Sequence, residues 1–155
     1  MTELAYRALA LQTRCHAVNG CADAEQASAV IAGNIARVGR QIRASKAFVG
    51  PDLKLVVLPE YFATSYPLGD TIPGWAAKGS FVMDGAEYAQ LGRIAQDNGV
   101  YLVSNAYERD PHFPGLYFQS QVVLDDSGNQ ILRYRRLISL YAPSPHDVWD
   151  KYLDI

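Results

Sequence analysis

The sequence predicts an α/β fold that opens with a parallel crossover and closes with an antiparallel hairpin. Two apolar, strand-like runs bracket a long amphipathic helix pattern, a second helix pattern precedes another apolar run, and two β-rich segments flank a turn-forming stretch. The chain has 155 residues, 49% of them apolar and 19% charged, which suffices for one ordinary domain. Residues 1–155 carry no repeat, low-complexity tract or linker that would divide them. The formal charge is -2 with acidic and basic residues interspersed, so neither nucleic acid nor an anionic membrane is an expected partner. No apolar run approaches the roughly 20 residues that span a bilayer, and the N-terminus lacks a signal-peptide pattern. A cytoplasmic location is the expectation. Two cysteines, Cys15 and Cys21, are too few for a disulfide framework. No second Cys or His group stands at zinc-ligand spacing, so no metal or other cofactor is expected.

Taken in order, Tyr6 to Gln12 is a short, mostly apolar stretch that ends in a polar residue, as a buried strand does. Asn19-Gly20 marks a loop, Asp23 stands at an N-cap position, and Gln26 follows three residues later. Ala27, Val30, Ile31, Ile35, Val38 and Ile42 then recur on one helical face. Gly50-Pro51-Asp52 ends that helix, and Leu53 to Leu58 is a near-continuous apolar strand of the kind buried on both faces of a parallel sheet. Residues 61–83 place Pro67, Gly69, Pro73, Gly74 and Gly79 among aromatics, predicting an ordered surface loop. Asp84 and Glu87 form a second capping-box pattern before the stripe of Tyr88, Leu91, Ile94 and Ala95, and Asn98-Gly99 supplies the stop. Val100 to Ala106 is the next strand. Residues 117–124 and 130–134 flank Asp125-Asp126-Ser127-Gly128-Asn129, whose residues tolerate positive φ, and predict a hairpin. The expected inventory is about five strands and two helices.

Ligands of open α/β sheets bind beyond the carboxyl ends of the strands, and Glu60 stands there, after Leu58-Pro59. A carboxylate at the edge of an apolar strand is partly desolvated, which suits it to take a proton from a nucleophile; the plainer alternative is a solvated strand-end glutamate. The residues around it decide between the two. Leu58-Pro59-Glu60-Tyr61-Phe62-Ala63-Thr64-Ser65-Tyr66-Pro67 resembles the carbon-nitrogen hydrolase (nitrilase/amidase) motif, with Ser65 in place of the usual glycine. Ala8 to Gln12 is similar to that family's first strand, and Val103 to Arg109 resembles its strand ending in Glu-Arg. Asp126-Ser127-Gly128, followed by Arg133-Tyr134-Arg135-Arg136, resembles the hairpin that delivers the family's catalytic lysine. Each motif alone is weak, but four in the right order make a chance match improbable.

The resemblance implies a nitrilase-like α-β-β-α sandwich, of which residues 1–155 are an incomplete N-terminal half. It also implies hydrolysis of a nonpeptide carbon-nitrogen bond in an amide, nitrile or carbamoyl compound by a glutamate, a lysine and a cysteine. Glutamate deprotonates the thiol, the thiolate attacks carbon, the cation stabilises the tetrahedral species, and water resolves the thioester. Glu60 matches the glutamate, whereas Arg136 occupies the lysine position. Arginine keeps the charge, but its pKa above about 12 bars it from proton transfer. The plainer reading of Tyr134-Arg135-Arg136 is a basic strand end at the surface. The nucleophile of the family lies on a strand beyond the cation, outside this chain, and neither Cys15 nor Cys21 sits at such a position. His16, His112 and His146 are isolated from one another. Pro145-His146-Asp147 reads as a helix start, and Asp147 or Asp150 stands where many members carry a second acidic residue.

The expected partners are therefore a small amide or nitrile substrate, a complementary C-terminal segment or chain, and further copies in a homo-oligomer; the chain alone is expected to be inactive. The alternative is a catalytically silent nitrilase-like interaction or assembly protein, which Arg136 and the absent cysteine favour. A nucleotide-binding doubly wound domain is more distant, because no Gly-rich phosphate fingerprint follows the first strand.

Overall fold

In the computed structural model, residues 5–144 and residue 148 are described. Strand β1 (Arg7–Ala10) leads into helix α1 (Ala24–Val49), whose N-cap Asp23 accepts a hydrogen bond from the Gln26 amide, as the sequence predicts. The Gln26 side chain accepts in turn from the Ala22 amide, so two donors at the helix start are satisfied reciprocally. Strand β2 (Leu53–Val57) pairs parallel to β1, completing the crossover. The segment read as loop contains a helix, α2 (Ile72–Lys78), capped by Thr71 and carrying Pro73 in its first turn, and a two-residue strand, β3 (Phe81–Val82). Helix α3 (Ala86–Asn98) ends at Gly99, whose left-handed backbone (φ 54°) gives the predicted stop. Strands β4 (Tyr101–Arg109), β5 (Phe118–Leu124) and β6 (Gln130–Arg135) form an antiparallel meander whose last turn has Gly128 at φ 86°.

The described residues thus hold six strands and three helices rather than five and two. The extra elements are short, and their signals lay within a Gly- and Pro-rich stretch. The expected capping box at Asp84 does not form: Gly85 is the N-cap without a side-chain cap, and Asp84 turns away at φ 58° to pair with Arg133.

The sheet order is β1-β2-β4-β5-β6, with β3 also on β4. Strands β2 and β3 lie end to end along one edge of β4, β2 at Tyr101 to Val103 and β3 at Glu108 and Arg109. The chain leaving β2 enters the interval between them. Helices cover one face of the sheet. Ile31, Ile35, Val38 and Ile42 of α1 and Leu91 and Ala95 of α3 pack with Val56, Leu102, Val122 and Leu124 in one core. At about 25 cal/mol per Å² of apolar area, this burial is the main term opposing chain entropy.

The alternate residues of the same strands form the other face, which no described element covers. Val57 is 37% exposed, Tyr101 40%, Leu132 48% and Tyr134 52%. Tyr6, Lys54, Leu55, Tyr101 and Val123 line a hollow of about 640 Å³ there. The hairpin turn is pinned from the helix side, because a Cβ on Gly92 of α3 would lie 2.6 Å from the Gly128 carbonyl oxygen. Only glycine at both positions permits this backbone-to-backbone approach.

Candidate active site

Pairing to β2 ends when the Leu58 amide donates to the Val103 carbonyl (2.9 Å), and Pro59 and Glu60 leave the sheet at its carboxyl end. The turn that follows is tight: Tyr61 has φ 58°, Ser65 has φ 70°, and the Ser65 amide donates to the Tyr61 carbonyl (3.1 Å). Ser65, standing where the family motif has glycine, thus adopts the left-handed conformation that glycine takes without strain. The turn is held from several sides. Phe62, Ala63 and Thr64 are buried, the Asn34 side chain of α1 donates to the Ala63 carbonyl (2.7 Å), and the Tyr61 ring stacks on Tyr107 at 5.4 Å. Burial, reinforced by the Tyr61 hydroxyl, pushes the Tyr107 phenol well above its ordinary pKa, so it stays neutral.

Arg136 arrives from the far side of the meander. Its amide donates to the Gln119 carbonyl (2.9 Å), one residue past β6, and its guanidinium Nη1 reaches Glu60 Oε1 at 2.9 Å. The two residues read from sequence, 76 positions apart, are brought together as an ion pair. Glu60 is not buried as its place at an apolar strand end suggested. Its side chain is 49% exposed and that of Arg136 48%, because both border the uncovered sheet face. A cavity of about 340 Å³ opens beside them, lined among others by Asn105, Gln119, Gln121 and Tyr134.

Gln119 was not singled out in the sequence, yet it is the most connected residue at this site. Only 2% exposed, it donates through Nε2 to Glu60 Oε1 and to the Tyr61 hydroxyl (3.3 Å), and its Oε1 accepts from Arg136 Nη1 (3.1 Å) and the Ser139 hydroxyl (3.2 Å). The amide has one sensible orientation, because a carboxylate only accepts and a guanidinium only donates.

Arg133 and Arg135 point to the opposite face. Arg133 Nε (3.1 Å) and Arg135 Nη2 (3.3 Å) meet the fully buried Glu108, with Asp84 and Asp110 completing the cluster at 2.6 and 2.5 Å. Strand alternation separates Arg135, a structural group, from Arg136 at the cavity. Cys15 and Cys21 do not line the cavity, and burial pushes the Cys15 thiol above its ordinary pKa. His112 pairs with Asp110, away from Glu60. Among the described residues no cluster of His, Cys, Asp and Glu is placed to hold a metal ion, and no helix is long and apolar enough to cross a membrane. Asp147, Asp150 and His146 lie outside the described residues.

The fold of this sheet and its helices matches solved proteins that include a member of the nitrilase superfamily and amidases. Saccharomyces cerevisiae Nit3, a member of branch 10 of that superfamily, aligns at 21% identity over 74% of this chain and 43% of its own, with a TM-score of 0.61. A double mutant of the amidase from Nesterenkonia sp. AN1, in complex with acrylamide, aligns at 20% identity over 92% of this chain and 47% of its own, with a TM-score of 0.60. An N-terminal amidase aligns at 15% identity over 85% of this chain and 28% of its own, with a TM-score of 0.63. The fold is therefore the nitrilase-like α/β fold, and the chain spans less than half the length of each of these proteins. The model of the carbon-nitrogen hydrolase family matches residues 8–153, and the chain belongs to that family. No curated protein matches it.

Proposed function

We propose that this chain is the N-terminal part of an amidase-type hydrolase that cuts a nonpeptide carbon-nitrogen bond, with Glu60 as general base and Arg136 as the oxyanion-stabilising cation. The observation that carries the reading is the Glu60–Arg136 contact at 2.9 Å beside the cavity, formed by residues at the family's glutamate and lysine positions. Glu60 takes the proton of a cysteine thiol supplied from outside this chain, and the thiolate adds to the substrate carbonyl carbon. Arg136 pairs with the resulting oxyanion; the amine leaves with the proton from Glu60. Water then adds to the thioester, Glu60 accepts its proton, and the thiol is restored as the acid departs. Arg136 contributes charge alone, since its guanidinium does not give up a proton.

Amide substrates are favoured over nitriles, because the amidase relatives were solved with acrylamide, a Gln-Val peptide and an Asn-Glu peptide, each of which carries a carboxamide. The uncovered face of Leu55, Val57 and Val103 suits a complementary C-terminal segment as its cover, and the reading includes a homo-oligomer in the cytoplasm. A silent assembly protein is the second reading, favoured by arginine at the lysine position.

The test uses the complete protein with small aliphatic amides. Glu60→Gln should lower turnover by about 10²- to 10⁴-fold, the range for loss of a general base. Arg136→Lys should raise hydrolysis, because a compact ammonium fits a small oxyanion better than a planar fork. Near-normal turnover in Glu60→Gln would place the base elsewhere, and no hydrolysis by the unaltered complete protein would favour the assembly reading.

A further inference from the structure

We infer that Gln119 is a positioning residue that fixes Glu60 and Arg136 in one geometry and leaves a single oxygen of Glu60 to act as the base. The inference rests on the proposed roles of those two residues. Both hydrogen bonds made to the Glu60 carboxylate among the described residues, from Gln119 Nε2 and from Arg136 Nη1, end on Oε1. Oε2 accepts none from the described residues, so it is the oxygen with a lone pair to offer a thiol or a water. An ion pair between two half-exposed side chains is loose and free to reorient in solvent. Gln119 removes that freedom. It is itself immobilised, 2% exposed on the central strand of the meander, and tied through Oε1 to Ser139 as well as Arg136.

The residue type follows from this task. One end must donate to an anion while the other accepts from a cation, and a carboxamide is the neutral side chain that does both at about a 2 Å separation between its polar atoms. A glutamate at 119 would have the same shape but would set a carboxylate against Glu60. A leucine would have similar volume and neither bond. Neutrality at 119 therefore sets no second carboxylate beside Glu60, where the neighbouring side chains Tyr61 and Tyr107 are phenols.

The experiment is a ¹³C NMR titration of the glutamate carboxyls in the full-length protein. The chain has five glutamates, and the Glu60 signal is assigned by its loss in Glu60→Gln. Gln119→Leu should raise the Glu60 midpoint by about half to one pH unit, because a donor to the charged form is lost, and Gln119→Glu should raise it by about one unit or more through like charge. In parallel, Gln119→Leu should lower kcat for amide hydrolysis about tenfold or more with KM within about threefold, as expected for a hydrogen bond to a charged group that positions the base. An unmoved midpoint in folded Gln119→Glu, or in folded Gln119→Leu should the first variant not fold, overturns the inference even where the protein hydrolyses amides. Moved midpoints in a protein that hydrolyses nothing uphold the positioning role and remove the hydrolase reading instead.

Discussion

Strand β6 and the residue that follows it carry arginines to both faces of the sheet, and the two settings use them differently. On the helix side, Glu108 is fully buried and both of its oxygens are engaged, by Arg133 and by Arg135 together with the Ser120 hydroxyl. On the open side, Glu60 and Arg136 are about half exposed and one carboxylate oxygen has no described partner. A saturated cluster can only hold its elements together, whereas an unsaturated pair retains valence for a substrate. Similar ionic chemistry thus serves as an anchor on one side and, in the function proposed, as a reactive site on the other, separated by one residue along the chain.

The sharpest way to break this contrast on the stability side is Glu108→Ala. Two arginines would lose their buried counter-charge, and the folded state should weaken by about 3 kcal/mol or more. Urea unfolding of the complete protein measures it, and a loss below about 1 kcal/mol would mean that the cluster is no anchor. Asp110 sharpens the same side through pH. Burial pushes its carboxyl up, but the His112 amide, Arg135 and the His112 side chain outweigh burial and hold it down to about 2. A carboxyl depressed in the folded state contributes stability that is fully present above its unfolded-state value, near pH 4, and is lost as pH falls towards 2. The contribution is on the order of 2 kcal/mol, and Asp110→Asn should flatten the stability profile over that interval. Unfolding curves collected from pH 5 to pH 2 would show the same slope in both proteins if the assignment were wrong. The smallest stability effect belongs to the open side. Glu60→Gln should change unfolding free energy by no more than about 1 kcal/mol, the scale of an exposed ion pair, while abolishing most turnover.

Much of this contrast was legible in the sequence. Asp23 and Gln26 announced the start of α1, Gly128 the hairpin, and motif order singled out Glu60 and Arg136. Two features escaped because they depend on contacts distant along the chain. Asp84 sits at the right spacing for a cap, but a cap competes with a long-range ion pair, and Arg133, 49 residues away, wins. Gln119 is a neutral polar residue in a strand and carries no local signal; only the fold shows it between two charges. Helix α2 did have a local signal in Thr71 and Pro73, masked by the glycines around it. The exposure of Glu60 was hidden for a different reason. Apolar flanks report burial against whatever covers a strand, and on the open face no described residue does so.

The turn behind Glu60 separates two kinds of constraint. Ser65 holds a left-handed backbone that costs a non-glycine residue about 1 kcal/mol in the folded state. Serine also restricts the unfolded chain, which returns roughly 0.4 to 1 kcal/mol relative to glycine. At a positive φ the strain outweighs that return, so Ser65→Gly should raise folding stability by up to about 1 kcal/mol. Glu60, five residues earlier, is constrained through its side chain: an amide and a guanidinium donate to one oxygen of its carboxylate, and an apolar replacement would leave both donors without it. Within one turn, then, the chain carries its constraint in the backbone at Ser65 and in the side chain at Glu60, which is half in solvent.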